Sequence, residues 1–165
     1  MTTCYVALGS NLGDPLQQLR TACAALADIP ETSLLAISRA YRSPAVGPGE
    51  QPDYLNAAAR LDTRLAPLAL LDALQAIEVQ QGRIRGERWG TRTLDLDLLL
   101  YGNRRLDSPR LQLPHPRLAE RNFVLYPLRD VAKTNLMLPD GRNLDTLLSA
   151  CPGDALAPIS ESLAP

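Results

Sequence analysis

Residues 94–101 read Leu94-Asp95-Leu96-Asp97-Leu98-Leu99-Leu100-Tyr101. Side chains alternate between the two faces of a β-strand. Leu94, Leu96 and Leu98 therefore share a core-facing side, and Asp95 and Asp97 project together from the other. This is the clearest strand in the chain, and the order of elements around it decides the fold.

Upstream, Pro67 opens a helix with an apolar stripe of Leu68, Leu71, Leu74 and Ile77, while Gln75 and Glu78 share a different face. Before it, Tyr54 to Thr63 reads as a strand, and Ser43 to Asp53, with Pro44, Gly47, Pro48, Gly49 and Pro52, as a loop. Leu34 to Tyr41 is another strand. Asp14-Pro15 starts a helix, Asp as N-cap and Pro in the first turn, and Leu16, Leu19, Cys23 and Leu26 recur at helical spacing until Ile29-Pro30. Tyr5 to Leu8 is a short buried strand with a tight exit at Gly9. Downstream, Pro109, Pro114, Pro116 and Pro127 leave room only for short elements, Asp140-Gly141 is a turn, and Leu144 to Leu148 forms a helical turn or two.

The order is β-α-β-β-α-β. It predicts an α+β, ferredoxin-like sandwich: a mostly antiparallel sheet, two helices packed on one face, and long active-site loops. Residues 1–151 form a single domain, and residues 152–165 are expected to be a loosely packed tail.

The chain has 165 residues, 45% of them hydrophobic and 21% charged, with a net charge of -1. A chain of this size buries enough core to need no disulfide. Its charge excludes a general field for nucleic acid or membrane surfaces. No apolar stretch is long enough for a membrane span, and no signal peptide is read at the start. Cys4, Cys23 and Cys151 are odd in number and unpaired in spacing, which suits a reducing cytoplasm better than disulfides or zinc.

Asp95 and Asp97 carry the strongest chemical signal. Their Cα atoms lie roughly 6.5–7 Å apart on one strand. Two carboxylates so close repel each other unless a cation lies between them, and hard oxygen ligands with open positions suit Mg²⁺. The bland counterpart is a solvated acidic face. Arg83, Arg85, Arg88 and Arg92 fall within ten residues of the preceding glycine-bearing loop, opposed only by Glu87. Guanidinium forks match phosphate oxygens, although a basic loop can also be merely solvated. Arginines running into a paired-acid strand are the equipment for handling a polyphosphate.

The aromatic residues are scarce and oddly placed. Trp89 lies in the polar loop, Phe123 follows Arg121-Asn122, and Tyr54 begins a strand beside Asn56. Such rings either stack on a flat heteroaromatic ligand, with Asn56 pairing to its edge, or lie partly buried beneath loops. His115, between Pro114 and Pro116, is the single histidine and so cannot build a His-based metal site; taken alone, its place in a proline-rich turn reads as structural. Gly9 to Gly13 lacks the Gly-Lys-Ser/Thr end of a phosphate loop and reads as a tight turn.

Five stretches together resemble the 6-hydroxymethyl-7,8-dihydropterin pyrophosphokinase family. They are Ala7 to Gly13, Gln51 to Ala57, Gln80 to Arg83, Arg88 to Asp97, and Pro114 to Leu125, in order between about residues 3 and 145. The resemblance implies a transfer of pyrophosphate from ATP to a hydroxymethyl-dihydropterin, releasing AMP, in folate synthesis. It implies that Asp95 and Asp97 hold a pair of Mg²⁺ ions bound with ATP, that Arg83, Arg92 and Asp97 are the catalytic residues, and that the two arginines neutralise charge during transfer. Gln75, Glu78, Arg85, Trp89, Arg110, His115 and Arg121 would join Arg83 and Arg92 at the ATP site. The pterin would stack between Tyr54 and Phe123, with Asn56, Ser43, Pro44 and Val46 reading its edge and Gly9 beside it. The enzyme would be a cytoplasmic monomer. Thr91 stands where the family often has Pro, and Gly86 lies in an arginine loop that holds no lysine.

Two other classes share the fold. A palm-like nucleotidyltransferase or cyclase would use the same acid pair but release pyrophosphate, and a non-catalytic binding module would consume no ATP. The Tyr54, Asn56 and Phe123 set favours a heteroaromatic acceptor over both.

Overall fold

The structure, a computed structural model, describes residues 1–44, 53–82, 94–153 and 155–164. Its central sheet is built on β1 (Thr2–Ser10), β2 (Thr32–Ile37), β3 (Tyr41–Ser43), β4 (Tyr54–Thr63) and β5 (Asp95–Tyr101). The order across the sheet is β5-β1-β4, with β2 and β3 both on the far edge of β4. All these pairings are antiparallel. With β2 and β3 taken as one interrupted strand, the order and directions are those of the ferredoxin-like fold, as the sequence predicts.

Helices α1 (Pro15–Ala27) and α2 (Pro67–Gln80) cover one face. Asp14 caps α1, its Oδ1 accepting from Gln17 N–H at 3.2 Å. Leu19, Cys23 and Leu26 of α1 are buried with Leu70, Leu71, Leu74 and Ile77 of α2 against Cys4, Val6, Leu8, Leu96 and Leu98 of the sheet. Leu68, expected in the α2 stripe, is 41% exposed and Leu70 takes its place. The stripe thus follows a helix that presents two adjacent leucines to the sheet.

The other face carries a layer that the prolines hid. α3 (Asn122–Val131) keeps Pro127 inside it and packs Val124, Leu125, Leu128 and Val131 on Tyr5, Ala58, Leu99 and Leu100, and α4 (Leu144–Ala150) adds Leu144. A proline inside a helix costs one backbone hydrogen bond. Burial of four apolar side chains, each stabilising by about 1.5–3 kcal/mol, outweighs that loss. The molecule is thus α/β/α in cross-section rather than helices on one face alone.

Two strand boundaries also differ from expectation. β1 runs through Gly9 to Ser10 instead of turning at Gly9. The strand expected over 34–41 is broken at Ser38, which bonds Ala58 through both its own N–H (2.8 Å) and its Oγ (2.8 Å). Short strands β6 (Leu106–Asp107) and β7 (Gln112–Leu113) pair as a hairpin beyond β5. The segment expected as a loose tail adds β8 (Ala157–Pro158) to the outer edge of β3. Leu163 then enters the core at 2% exposure, and Arg20 Nε donates to Ser162 O at 2.9 Å. All three cysteines are unpaired with one another. Among the described residues, no helix is long and apolar enough to cross a membrane.

Candidate active site

Register assembles the site on the face of the sheet opposite α1 and α2. Gly9 opposes Asp95 on one side and Asn56 on the other, and Asn56 in turn opposes Tyr41. One row across four strands therefore reads Asp95, Gly9, Asn56, Tyr41. The next row sets Asp97 beside Ala7 and Ala58. Asp95 and Asp97 share this face, as alternation requires, and Asp97 is exposed.

β5 keeps its acids and its leucines apart only as far as Leu98. Tyr5 pairs with Leu100 but Val6 pairs with Leu98, so Leu99 is an extra residue bulged out of the ladder. Beyond the bulge the alternation reverses, and Leu99 and Leu100 both enter the core beneath α3. A bulge of this kind bends a strand and re-aims side chains, and such features gather beside active sites.

Two cavities meet at Asp97. A pocket of about 410 Å³ is lined by Ala7, Gly9, Ser43, Pro44, Tyr54, Asn56, Phe123 and Val124, together with Asp95, Asp97 and Arg121. Asn56 is 7% exposed, and its Nδ2 donates to Ser43 Oγ at 2.9 Å, so its amide is held in place. The Arg121 guanidinium lies 5.5 Å from the Phe123 ring centroid, a cation–π distance. A second cleft of about 670 Å³ is lined by Gln75 and Glu78 of α2, Asp97 of β5, Arg110 and Gln112 of the hairpin, and His115. Asp97 faces both cavities.

In that cleft Arg110 donates to Gln75 Oε1 at 3.2 Å and is paired with Asp72. His115 is half-buried, its Nδ1 accepting from Arg117 N–H at 3.2 Å. Burial lowers its pKa; the Asp97 carboxylate works against that shift, and Arg121 and Arg117 add to it. The imidazole is thus neutral at neutral pH, the form that can accept at Nδ1. Glu78 is 5% exposed and accepts from Leu96 N–H at 2.9 Å.

Of the residues singled out from sequence, the structure brings Gly9, Ser43, Pro44, Tyr54, Asn56 and Phe123 to one pocket, and Gln75, Glu78, Arg110 and His115 to the other cleft. Arg121, expected with the nucleotide, lines the first pocket beside Phe123. Val46, Arg83, Arg85, Trp89 and Arg92 lie outside the described residues. The reading from sequence named Arg110 but not its neighbours Asp107, Ser108 and Gln112 in the same wall of the cleft. Their signal was the short apolar-polar run between prolines, which is too brief for a strand to declare itself.

Asp95 and Asp97 suit a hard divalent cation: both carboxylates leave one face of one strand, beside an open cleft that leaves positions for water and phosphate oxygens. Among the described residues no group of three or more His, Cys, Asp or Glu gathers as a preformed metal cage. A pair of acids completed by the nucleotide is the arrangement Mg²⁺ prefers.

The class this fold and site fit is a group transferase, with two cavities that share one carboxylate. The profile of one family, 7,8-dihydro-6-hydroxymethylpterin-pyrophosphokinase, matches residues 5–133. The chain is 57% identical over 152 residues to the 2-amino-4-hydroxy-6-hydroxymethyldihydropteridine pyrophosphokinase of Pseudomonas aeruginosa, covering 92% of this chain and 93% of that one. It is 48% identical over 148 residues to the Haemophilus influenzae enzyme of the same name, covering 90% and 92%. Among solved structures, wild-type Plasmodium falciparum HPPK-DHPS superposes with a TM-score of 0.68 at 10% identity. This chain spans 44% of that longer one, and 90% of this chain is covered. That likeness speaks for the fold.

The chain belongs to the 7,8-dihydro-6-hydroxymethylpterin-pyrophosphokinase family. It is a diphosphotransferase that moves pyrophosphate from ATP to 6-hydroxymethyl-7,8-dihydropterin in folate biosynthesis, and enzymes of the family use Mg²⁺ with ATP.

Proposed function

We propose that the cleft walled by Gln75, Glu78, Arg110 and His115 holds ATP, that the pocket between Tyr54 and Phe123 holds the pterin, and that Asp95 and Asp97 bind a pair of Mg²⁺ ions at their junction. The observation that supports this reading is the position of Asp97, which faces both cavities. Asn56, fixed by Ser43 and set one row from the acids, pairs with the edge of the pterin ring. Pro44 and Val46 border that edge, and Gly9 leaves room for the ring to approach the sheet.

Asp95 and Asp97 would hold the Mg²⁺, which when bound would supply charge neutralisation to the polyphosphate. The pterin hydroxymethyl oxygen attacks the β-phosphorus, the bond to the α-phosphate oxygen breaks, and AMP leaves. Arg83 and Arg92 neutralise charge during the transfer, with Arg85 and Trp89 completing the shell around the nucleotide and Arg121 joining it from the Phe123 side. Positioning and charge neutralisation supply most of the rate. The catalytic domain includes the C-terminal segment that adds β8 and Leu163 to it, and the enzyme works as a cytoplasmic monomer. In keeping with that, the exposed large apolar side chains among the described residues, Met1, Leu35, Leu68, Val79 and Met137, form no single run, with Leu68 and Val79 at opposite ends of α2. Sedimentation at micromolar concentration tests the last point.

The deciding assay incubates the protein with ATP, Mg²⁺ and the pterin alcohol and identifies the nucleotide product. AMP appearing in step with the pterin diphosphate supports this reading. Release of inorganic pyrophosphate with retention of the adenylyl group would instead identify a nucleotidyltransferase.

A further inference from the structure

β5 ends the sheet: β1 takes one of its edges, and no strand among the described residues takes the other. Outward-facing N–H and C=O groups of an edge strand need acceptors and donors from elsewhere. Asp95 and Asp97 oppose Gly9 and Ala7 on β1. In an antiparallel ladder successive residues turn their backbone groups alternately toward and away from the neighbour. Leu96, between the two acids, turns its N–H outward, and Glu78 Oε2 accepts it at 2.9 Å. Further along the same edge, His115 N–H donates to Leu99 O at 3.0 Å. Asp97 is thus bracketed by a tie to α2 on one side and a tie to the segment after β7 on the other.

Glu78 is 5% exposed, so little water reaches this tie to compete for the Leu96 N–H.

We infer that Glu78 is a positioning residue for the cation-holding acids. It fixes the peptide between Asp95 and Asp97 to α2, so that both carboxylates keep the common heading that divalent ions require. This rests on the reading of Asp95 and Asp97 as the Mg²⁺ ligands.

The test compares Glu78→Leu, which has no acceptor, with Glu78→Gln, which keeps a carbonyl oxygen. Three quantities are read: hydrogen exchange at the Leu96 amide, the Mg²⁺ concentration for half-maximal binding of α,β-methylene-ATP by calorimetry, and metal-free pterin affinity by fluorescence. Glu78→Leu is expected to speed Leu96 exchange at least 100-fold and raise the Mg²⁺ midpoint at least tenfold, with pterin Kd within twofold. Glu78→Gln is expected to recover Leu96 protection and bring the midpoint within threefold of wild type. An unchanged midpoint in Glu78→Leu with Leu96 deprotected would overturn the inference. So would a Glu78→Gln protein that protects Leu96 yet shows a midpoint raised tenfold, because Glu78 would then act through its charge. If Glu78→Leu loses pterin binding through misfolding, Glu78→Ala takes its place with the same expected and overturning results. Asp97→Ala separates the two levels: an unmoved midpoint there defeats the metal reading itself, whereas a moved one with unmoved Glu78 variants defeats only the tie.

Discussion

Gly9 is the one residue between Asp95 and Asn56 in their row of the sheet, and its lack of a side chain has a use. A Cβ built there would lie 3.2 Å from Asn56 Oδ1, and Asn56 cannot retreat without losing its bond to Ser43 Oγ. Gly9→Ala should therefore raise the Kd for the pterin roughly tenfold, about 1.4 kcal/mol, and leave ATP affinity unchanged, as fluorescence titration with each ligand will show. His115 gives a pH signature. Its native pKa is lowered by burial first, so the unfolded chain takes up the proton more readily, at an ordinary pKa of about 6.5. The stability contribution is fully present above that value and is lost as pH falls through the lowered native pKa. The melting temperature should decline over that acid window, and His115→Gln should flatten the decline. Residue identities at this scale were largely legible: acids alternating with leucines and an asparagine beside an odd tyrosine announce chemistry by themselves. Arg121 was harder to place, because a side chain that leans on Phe123 reports its neighbour only in three dimensions.

At the scale of elements, the interruption between β2 and β3 shows how one small residue ends a strand. Ser38 takes both backbone groups of Ala58 with its own N–H and Oγ, and β3 then resumes with Tyr41 bonded through its OH to Asp130 Oδ2 of α3 at 2.7 Å. Ser38→Ala leaves the buried Ala58 N–H without that acceptor and should cost about 1–3 kcal/mol, measured as a lower urea midpoint at unchanged slope. Apolar periodicity ran through residues 34–41 without a visible stop, so nothing in the sequence marked the break. The bulge at Leu99 was equally hidden, since three successive leucines suit either face. Long elements with punctuation at both ends, α1, α2 and β4, were legible; α3 was not, because Pro127 looked like a terminator and is instead carried inside a helix whose apolar face is buried.

Across the whole molecule, the sheet works as a partition. One face supports α1 and α2, with α2 also walling the second cleft; the other gives its near end to the pterin pocket and its far end to the core under α3. The C-terminal segment closes the far edge, with Leu163 filling the first core. Leu163→Ala should destabilise the fold by about 2–5 kcal/mol, read by chemical denaturation, with the Mg²⁺ requirement of the folded enzyme unaltered. Strand order followed from the sequence because the alternation of element types leaves few topologies. The tail could not be read, because two residues of β8 and one buried leucine are too little pattern to distinguish from loop. What organises the molecule for catalysis is the junction at Asp97, reached from both cavities by one carboxylate. The most direct measurement is AMP formation by Asp97→Ala, alongside its metal-free pterin affinity. The account predicts a turnover at least 100-fold lower, about 2.7 kcal/mol of lost transition-state stabilisation, with pterin binding retained. AMP formation near the wild-type rate would contradict it.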